Sequence, residues 1–169
     1  MAEVQAFRFE DDGETPNNPR LPMLVYHSAI ALDGERDPAV PFERAFARHG
    51  WGDGWRNGIH SFRHFHTSAH EVLGIARGRA TVEFGGANGR TLTVEAGDVV
   101  VLPAGTGHRR VSSSGDLLVV GAYPRRSAVD QQRAGEIDHR QALAAIAAVP
   151  VPEMDPVHGK SGPLTELWK

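Results

Sequence analysis

Through the middle of this chain, apolar and polar residues alternate in short runs, and no helical period persists there. The runs IHSFRHFH, EVLGIARG, RATVEF, RTLTVEA, DVVVLP, HRRVSSS and DLLVVGAY occupy residues 58 to about 123. Each has the length of a β-strand and is either alternating or continuously apolar. The segments between them, GRA, GGANGR, AGD, PAGTG and SSGD, consist of residues that favour turns. Strands at intervals of roughly ten residues, with no helices between them, predict a sandwich or small barrel rather than a parallel α/β sheet.

The flanks read differently. AFRFE alternates and predicts a strand, GETPNNPRLP a loop, and LVYHSAIAL (24–32) a second strand. A helix is expected over about 38–49, capped by Asp37 with Pro38 in its first turn. Phe42, Ala45, Phe46 and His49 recur there at helical spacing, and Gly50 follows the end. The glycine-punctuated WGDGWRNG reads as a loop. Alanine-rich EIDHRQALAAIAAV predicts a second helix over about 136–148 that stops before Pro150. The remaining VPVPEMDPVHGKSGPLTELWK, broken by proline and glycine and ending on Leu164, Leu167 and Trp168, reads as a strap over the barrel. No repeat or linker divides the chain. Residues 1–169 are therefore expected to form one domain, with a barrel core at about 58–123, N-terminal strands and helix at 1–57, and a C-terminal helix and strap at 124–169.

Composition narrows the chemistry. The 169 residues include nine histidines and no cysteine. Without cysteine there is no disulfide framework, thiolate nucleophile, iron–sulfur cluster or zinc finger, so a metal site would have to use imidazole, carboxylate and water. Eighteen basic and twenty-one acidic residues give a formal charge of −3, with no basic stripe to meet a nucleic-acid backbone. The start MAEVQAFRFEDDG lacks a signal-peptide layout, and no apolar run approaches the length of a membrane span. A cytoplasmic protein without a nucleic-acid or membrane partner is expected. Two short motifs fail on inspection. HGKSG has Met154 where a phosphate-binding loop needs glycine, and His70-Glu71 is followed by Gly74 where a zinc-protease helix needs histidine.

Four of the histidines, His60, His64, His66 and His70, fall within eleven residues. On a strand, His60, Phe62, His64 and His66 share one face, and imidazoles at i and i+2 can reach a single ion. Glu71 opens the next run, and a hairpin between the two would bring it near His66. His108 opens another strand. Three imidazoles and a carboxylate make a shell suited to Mn, Fe, Ni, Co, Cu or Zn, with about two positions of a six-coordinate ion left open. His70 should point to the face opposite Glu71, in a turn or behind the ligands. His60 reads equally as a pocket base or as a buried, hydrogen-bonded ring. Arg110, two residues after His108, either projects inward to hold an anionic group or is a structural surface residue. His27, His49, His139 and His158 are isolated and read as ordinary.

From Gly58 to Gly78 the sequence resembles the first motif of the cupin superfamily, G-x5-H-x-H-x3,4-E-x6-G, through Gly58, His64, His66, Glu71 and Gly78. From Gly97 it resembles the second, G-x5-P-x-G-x2-H-x3-N, through Gly97, Pro103, Gly105 and His108, with Ser112 where asparagine is usual. The two motifs cover residues 58–112, and the single pair marks a monocupin. The flanking helices and GPLTELW are similar to those of uncharacterised bacterial cupin-domain proteins. The resemblance implies an all-β double-stranded β-helix, or jelly-roll barrel. It also implies one divalent transition metal (Fe, Mn, Ni, Zn, Co or Cu) held by His64, His66, Glu71 and His108, with a homodimer as the expected assembly. The implied function is that of a metalloenzyme, a dioxygenase or an isomerase, acting on a small organic molecule in the barrel. The alternative is a non-catalytic sensor or storage protein that binds a small ligand in the same cavity.

Overall fold

The computed structural model describes residues 3–169. A six-stranded antiparallel sheet has the order β1-β2-β7-β4-β9-β3. Its strands are β1 (Val4–Phe7), β2 (Met23–Tyr26), β3 (Trp51–Asn57), β4 (Glu71–Arg77), β7 (Val99–Leu102) and β9 (Leu118–Pro124). A three-stranded sheet of order β6-β5-β8 is built from β5 (Arg79–Phe84), β6 (Arg90–Glu95) and β8 (His108–Ser113). Three helices, α1 (Val40–Arg48), α2 (His139–Ala148) and α3 (Pro163–Leu167), complete the fold. This is the expected all-β jelly roll with peripheral helices.

Side chains alternate across a strand, so each strand of the large sheet feeds two apolar layers. Met23, Val25, Leu73, Ile75 and Val100 point inward and meet Ala80, Val82 and Phe84 of the small sheet. Leu24, Tyr26, Val72, Val99 and Val101 point outward, where Phe42 and Phe46 of α1 and Leu164 and Trp168 of the C-terminal strap cover them. Strands covered on both sides carry no alternation, and MLVY in β2 and VVVL in β7 are buried throughout. Each such side chain contributes about 1.5–3 kcal/mol of burial. Two close approaches depend on glycine. A Cβ at Gly74 would lie 2.3 Å from the Phe42 ring, and one at Gly121 would lie 2.1 Å from the Trp55 ring. The first lets α1 settle on β4; the second lets the Trp55 ring pack against β9.

Several local expectations are corrected. Helix α1 starts at Val40 because Asp37 spends its side chain on the turn before it, accepting from the Ala39 N–H at 3.2 Å. Helix α2 starts at His139, where the Asp138 carboxylate accepts from the Gln141 N–H at 3.0 Å and fixes the first turn. WGDGWRNG is not a loop but β3, an edge strand paired with β9 through a bulge between Gly52 and Trp55. Conversely, IHSFRHFH is not a regular strand and forms no hairpin with β4. Only His64 and Phe65 make isolated bridges, to His108 and Gln132. Its backbone is divided between β8, where Arg110 N–H donates to His60 carbonyl at 2.8 Å, and the segment around Gln132. The second expected strand stops at Tyr26, since Ser28 turns into left-handed backbone (φ 49°). The strap is in place, and its last turn is α3.

Candidate metal centre

The site sits where β4 and β8 begin and where the irregular segment 58–66 crosses them. Glu71 shares the inward face of β4 with Leu73 and Ile75, so its carboxylate enters the barrel. His108 opens β8 opposite Phe84, also on the inward side. Two backbone hydrogen bonds tie His64 to His108, the carbonyl of each accepting from the N–H of the other at 3.2 and 3.0 Å. That clamp places the two rings 4.1 Å apart by centroid. All four residues are buried, at 6 % exposure or less.

The three imidazoles are oriented by a shared device. His64 Nδ1 faces the Phe62 carbonyl at 3.1 Å, His108 Nδ1 the Thr106 carbonyl at 3.0 Å, and His66 Nδ1 the Asp130 carbonyl at 2.5 Å. A carbonyl only accepts, so each Nδ1 carries the proton and donates it, and each Nε2 turns into the barrel. One ring nitrogen from each histidine lies within 4.8 Å of the others. Glu71 Oε1 stands 3.2 Å from His108 Nε2 and 3.5 Å from His66 Nε2. His66 Nε2 is fully buried and makes no hydrogen bond among the described residues. An orphaned buried nitrogen beside two further imidazoles and a carboxylate is a donor set that fits a divalent transition ion.

Electrostatics agree with that fit. Burial, reinforced by the neighbouring His108, lowers the His64 pKa to about 3, so this ring is a neutral donor. Burial also opposes charge on His66, but the Glu71 carboxylate and Asp130 outweigh it and raise its pKa to about 9. Burial would raise Glu71, yet the facing His66 and His108 hold its carboxyl well below the usual range. A permanent anion facing imidazoles draws positive charge into a dry place, and a cation satisfies it as a proton does.

Above these groups lies a cavity of about 420 Å³, also lined by Trp55, Asn57, His60, Arg110, Tyr123 and Gln131. Of the three further candidates, Arg110 lines the cavity, and His60 sits at its exposed rim, stacked on Phe62 at 4.5 Å. His70 lies on the opposite face from Glu71, as the alternation required. Its Nδ1 accepts from the Ala104 N–H at 2.8 Å, its Nε2 meets the Pro150 carbonyl at 3.2 Å, and its ring packs on Trp168. It ties the strap to the turn before β8 and stays neutral, with burial lowering its pKa to about 4.

Sequence reasoning missed Tyr123, Trp55 and Asp130. The Tyr123 hydroxyl accepts from Trp55 Nε1 at 2.9 Å, and burial together with the Glu71 charge keeps the phenol protonated. The two-residue period of β9 (Val119, Gly121, Tyr123) would have placed this phenol on the inward face. Asp130 gathers the turn after His66, its carboxylate accepting from the Thr67 and Ser68 N–H groups at 2.7 and 3.1 Å and from both hydroxyls. No local signal marks a residue so far along the chain from the turn it holds.

A family model described as Cupin matches residues 56–137. The uncharacterized protein YjlB of Bacillus subtilis (strain 168) is 38% identical over 166 residues, which cover 98% of this chain and 97% of that protein. Among solved structures, a mutant of the Bacillus subtilis oxalate decarboxylase OxdC is 18% identical with a TM-score of 0.37. The match covers 68% of this chain but 24% of the decarboxylase, so the chain spans about a quarter of that relative. Acireductone dioxygenase from Bacillus anthracis, with a cadmium ion in its active centre, is 15% identical with a TM-score of 0.40, covering 73% of this chain and 79% of that one. With near end-to-end similarity to YjlB and the Cupin model lying over the histidine cluster, the chain belongs to the cupin superfamily.

Proposed function

We propose that this protein is a metal-dependent enzyme, a dioxygenase or an isomerase, acting on a small organic molecule in the barrel. Its ion is held by His64, His66, Glu71 and His108. One observation carries the reading. Three imidazoles commit their Nδ1 atoms to backbone carbonyls and turn their Nε2 atoms together beside a buried carboxylate, at the floor of a cavity. Such an ion supplies Lewis acidity toward a substrate oxygen and, if redox-active, access to oxygen chemistry. The chain supplies the rest. Asp130 and the carbonyls of Phe62 and Thr106 hold the rings in one orientation. Tyr123 keeps a proton at the cavity wall beside Glu71. Leu73 and Trp55 give the cavity an apolar side that limits water.

Elemental analysis of protein purified without added metal is the first test, with about one transition-metal ion per chain expected. Less than about a tenth of an ion per chain would count against the site. Oxygen uptake and product analysis with catechols, diketones and flavonols then test turnover by the loaded protein. A loaded protein that binds such molecules stoichiometrically and returns them unchanged would contradict catalysis and favour a sensor or storage role.

A further inference from the structure

The two arginines that open β8 lie in opposite surroundings. Arg109 pairs with Glu83 across the outer face of the small sheet, Nη2 to Oε2 at 3.0 Å, and Arg63 meets the same carboxylate at 2.7 Å. Arg110 is on the other face. Its register partner is Val82, whose side chain is in the barrel core, and it lines the cavity above the histidines. The register with β5 slips after Arg110, leaving Val111 at 52 % exposure. Among the described residues its guanidinium has no carboxylate partner, only the Ser113 hydroxyl at 3.4 Å.

The cavity is therefore unbalanced in charge. Of the residues lining it, the one carboxylate is Glu71, and that is already enclosed by His66 and His108. A divalent cation, the Glu71 anion and the Arg110 guanidinium together leave a net charge of about +2 for a ligand to answer. We infer that the cavity binds a small organic acid whose carboxylate pairs with Arg110, an assignment that rests on the metal-site reading above. The guanidinium fork matches a carboxylate with two parallel hydrogen bonds. The cavity of about 420 Å³ admits a small acid. The Tyr123 hydroxyl, whose oxygen accepts from Trp55 at 2.9 Å, stands on the same cavity wall beside Glu71.

The test is calorimetric titration of manganese-loaded protein with malonate and with its neutral isostere malonamide, with manganese measured in every sample. Wild-type protein is expected to prefer malonate. Arg110→Gln should raise the malonate Kd about ten- to hundredfold and leave that of malonamide unchanged. Arg110→Lys, which keeps the charge and loses the fork, should fall between. An unchanged malonate Kd in Arg110→Gln that still holds manganese would overturn the anion assignment alone. Loss of manganese from Arg110→Gln would make the arginine part of the metal scaffold and overturn it as well. Wild-type protein that takes up neither manganese nor cobalt(II) would overturn both this assignment and the metal site beneath it.

Discussion

Glu71 and Asp155 are both carboxylates buried in the fold, at 3 % and 0 % exposure, but the groups that answer them differ in kind. Asp155 accepts from the Val157 and His158 N–H groups at 2.8 and 2.9 Å, from the Leu164 N–H at 3.0 Å and from the Tyr26 hydroxyl at 2.5 Å. Three of those donors are backbone and cannot leave, so the acid pins the C-terminal strap to β2. Glu71 faces two imidazoles and a phenol at the floor of a cavity. Its partners are side chains that can exchange a proton for a cation. A buried acid answered by fixed donors serves the fold, whereas one answered by titratable groups beside a cavity is available for chemistry.

Replacing each acid tests that contrast, with the largest effect expected at Asp155. Asp155→Ala strands three N–H groups and a hydroxyl and should cost about 3–5 kcal/mol, a fall in Tm of roughly 10 °C by calorimetry. Metal bound per folded chain should not change. A loss under about 1 kcal/mol would remove the distinction. Glu71→Gln should do the reverse. Metal affinity, measured by titration, should fall at least about a hundredfold, while the metal-free protein loses less stability than Asp155→Ala does. Asp130→Asn, which loosens the turn carrying His66, should weaken metal binding by about tenfold without removing a ligand.

A pH profile sharpens the same comparison. In metal-free protein the raised His66 pKa contributes stability that is complete below the ordinary imidazole value and disappears as pH rises through about 9. The lowered Glu71 carboxyl contributes above the ordinary carboxylate range and is lost only as pH falls below it. Denaturation of the metal-free protein should therefore show weakening between pH 6.5 and 9 that His66→Gln abolishes. The smallest effect belongs to the outer face. Glu83 sits between Arg63 and Arg109, and Glu83→Gln should cost less than about 1 kcal/mol, with metal content untouched.

Much of the barrel was legible because its strands are short, apolar and separated by turn-forming residues, and β4 to β9 follow that punctuation closely. The candidate ligands were legible through the resemblance to the two cupin motifs, since the segment bearing His64 and His66 is not the strand their alternation suggested. Its shape comes from long-range backbone bonds to His108, Arg110 and Gln132, which no local period encodes. β3 was hidden for the opposite reason. Its glycines look like a loop, and only the approach of Trp55 over Gly121 explains them. Tyr123 and Asp130 became visible once β9 and the segment after it were folded onto the site.

The most direct test of the metal centre is equilibrium dialysis against cobalt(II), with bound metal counted in the wild type, the His64→Ala/His108→Ala double variant and His139→Ala. His139 pairs with Asp11 at 2.8 Å, away from the cavity residues, and serves as the control. The wild type and His139→Ala should each bind about one ion per chain, and the double variant less than about a tenth of one. A double variant that is folded and still holds its ion would contradict the assignment.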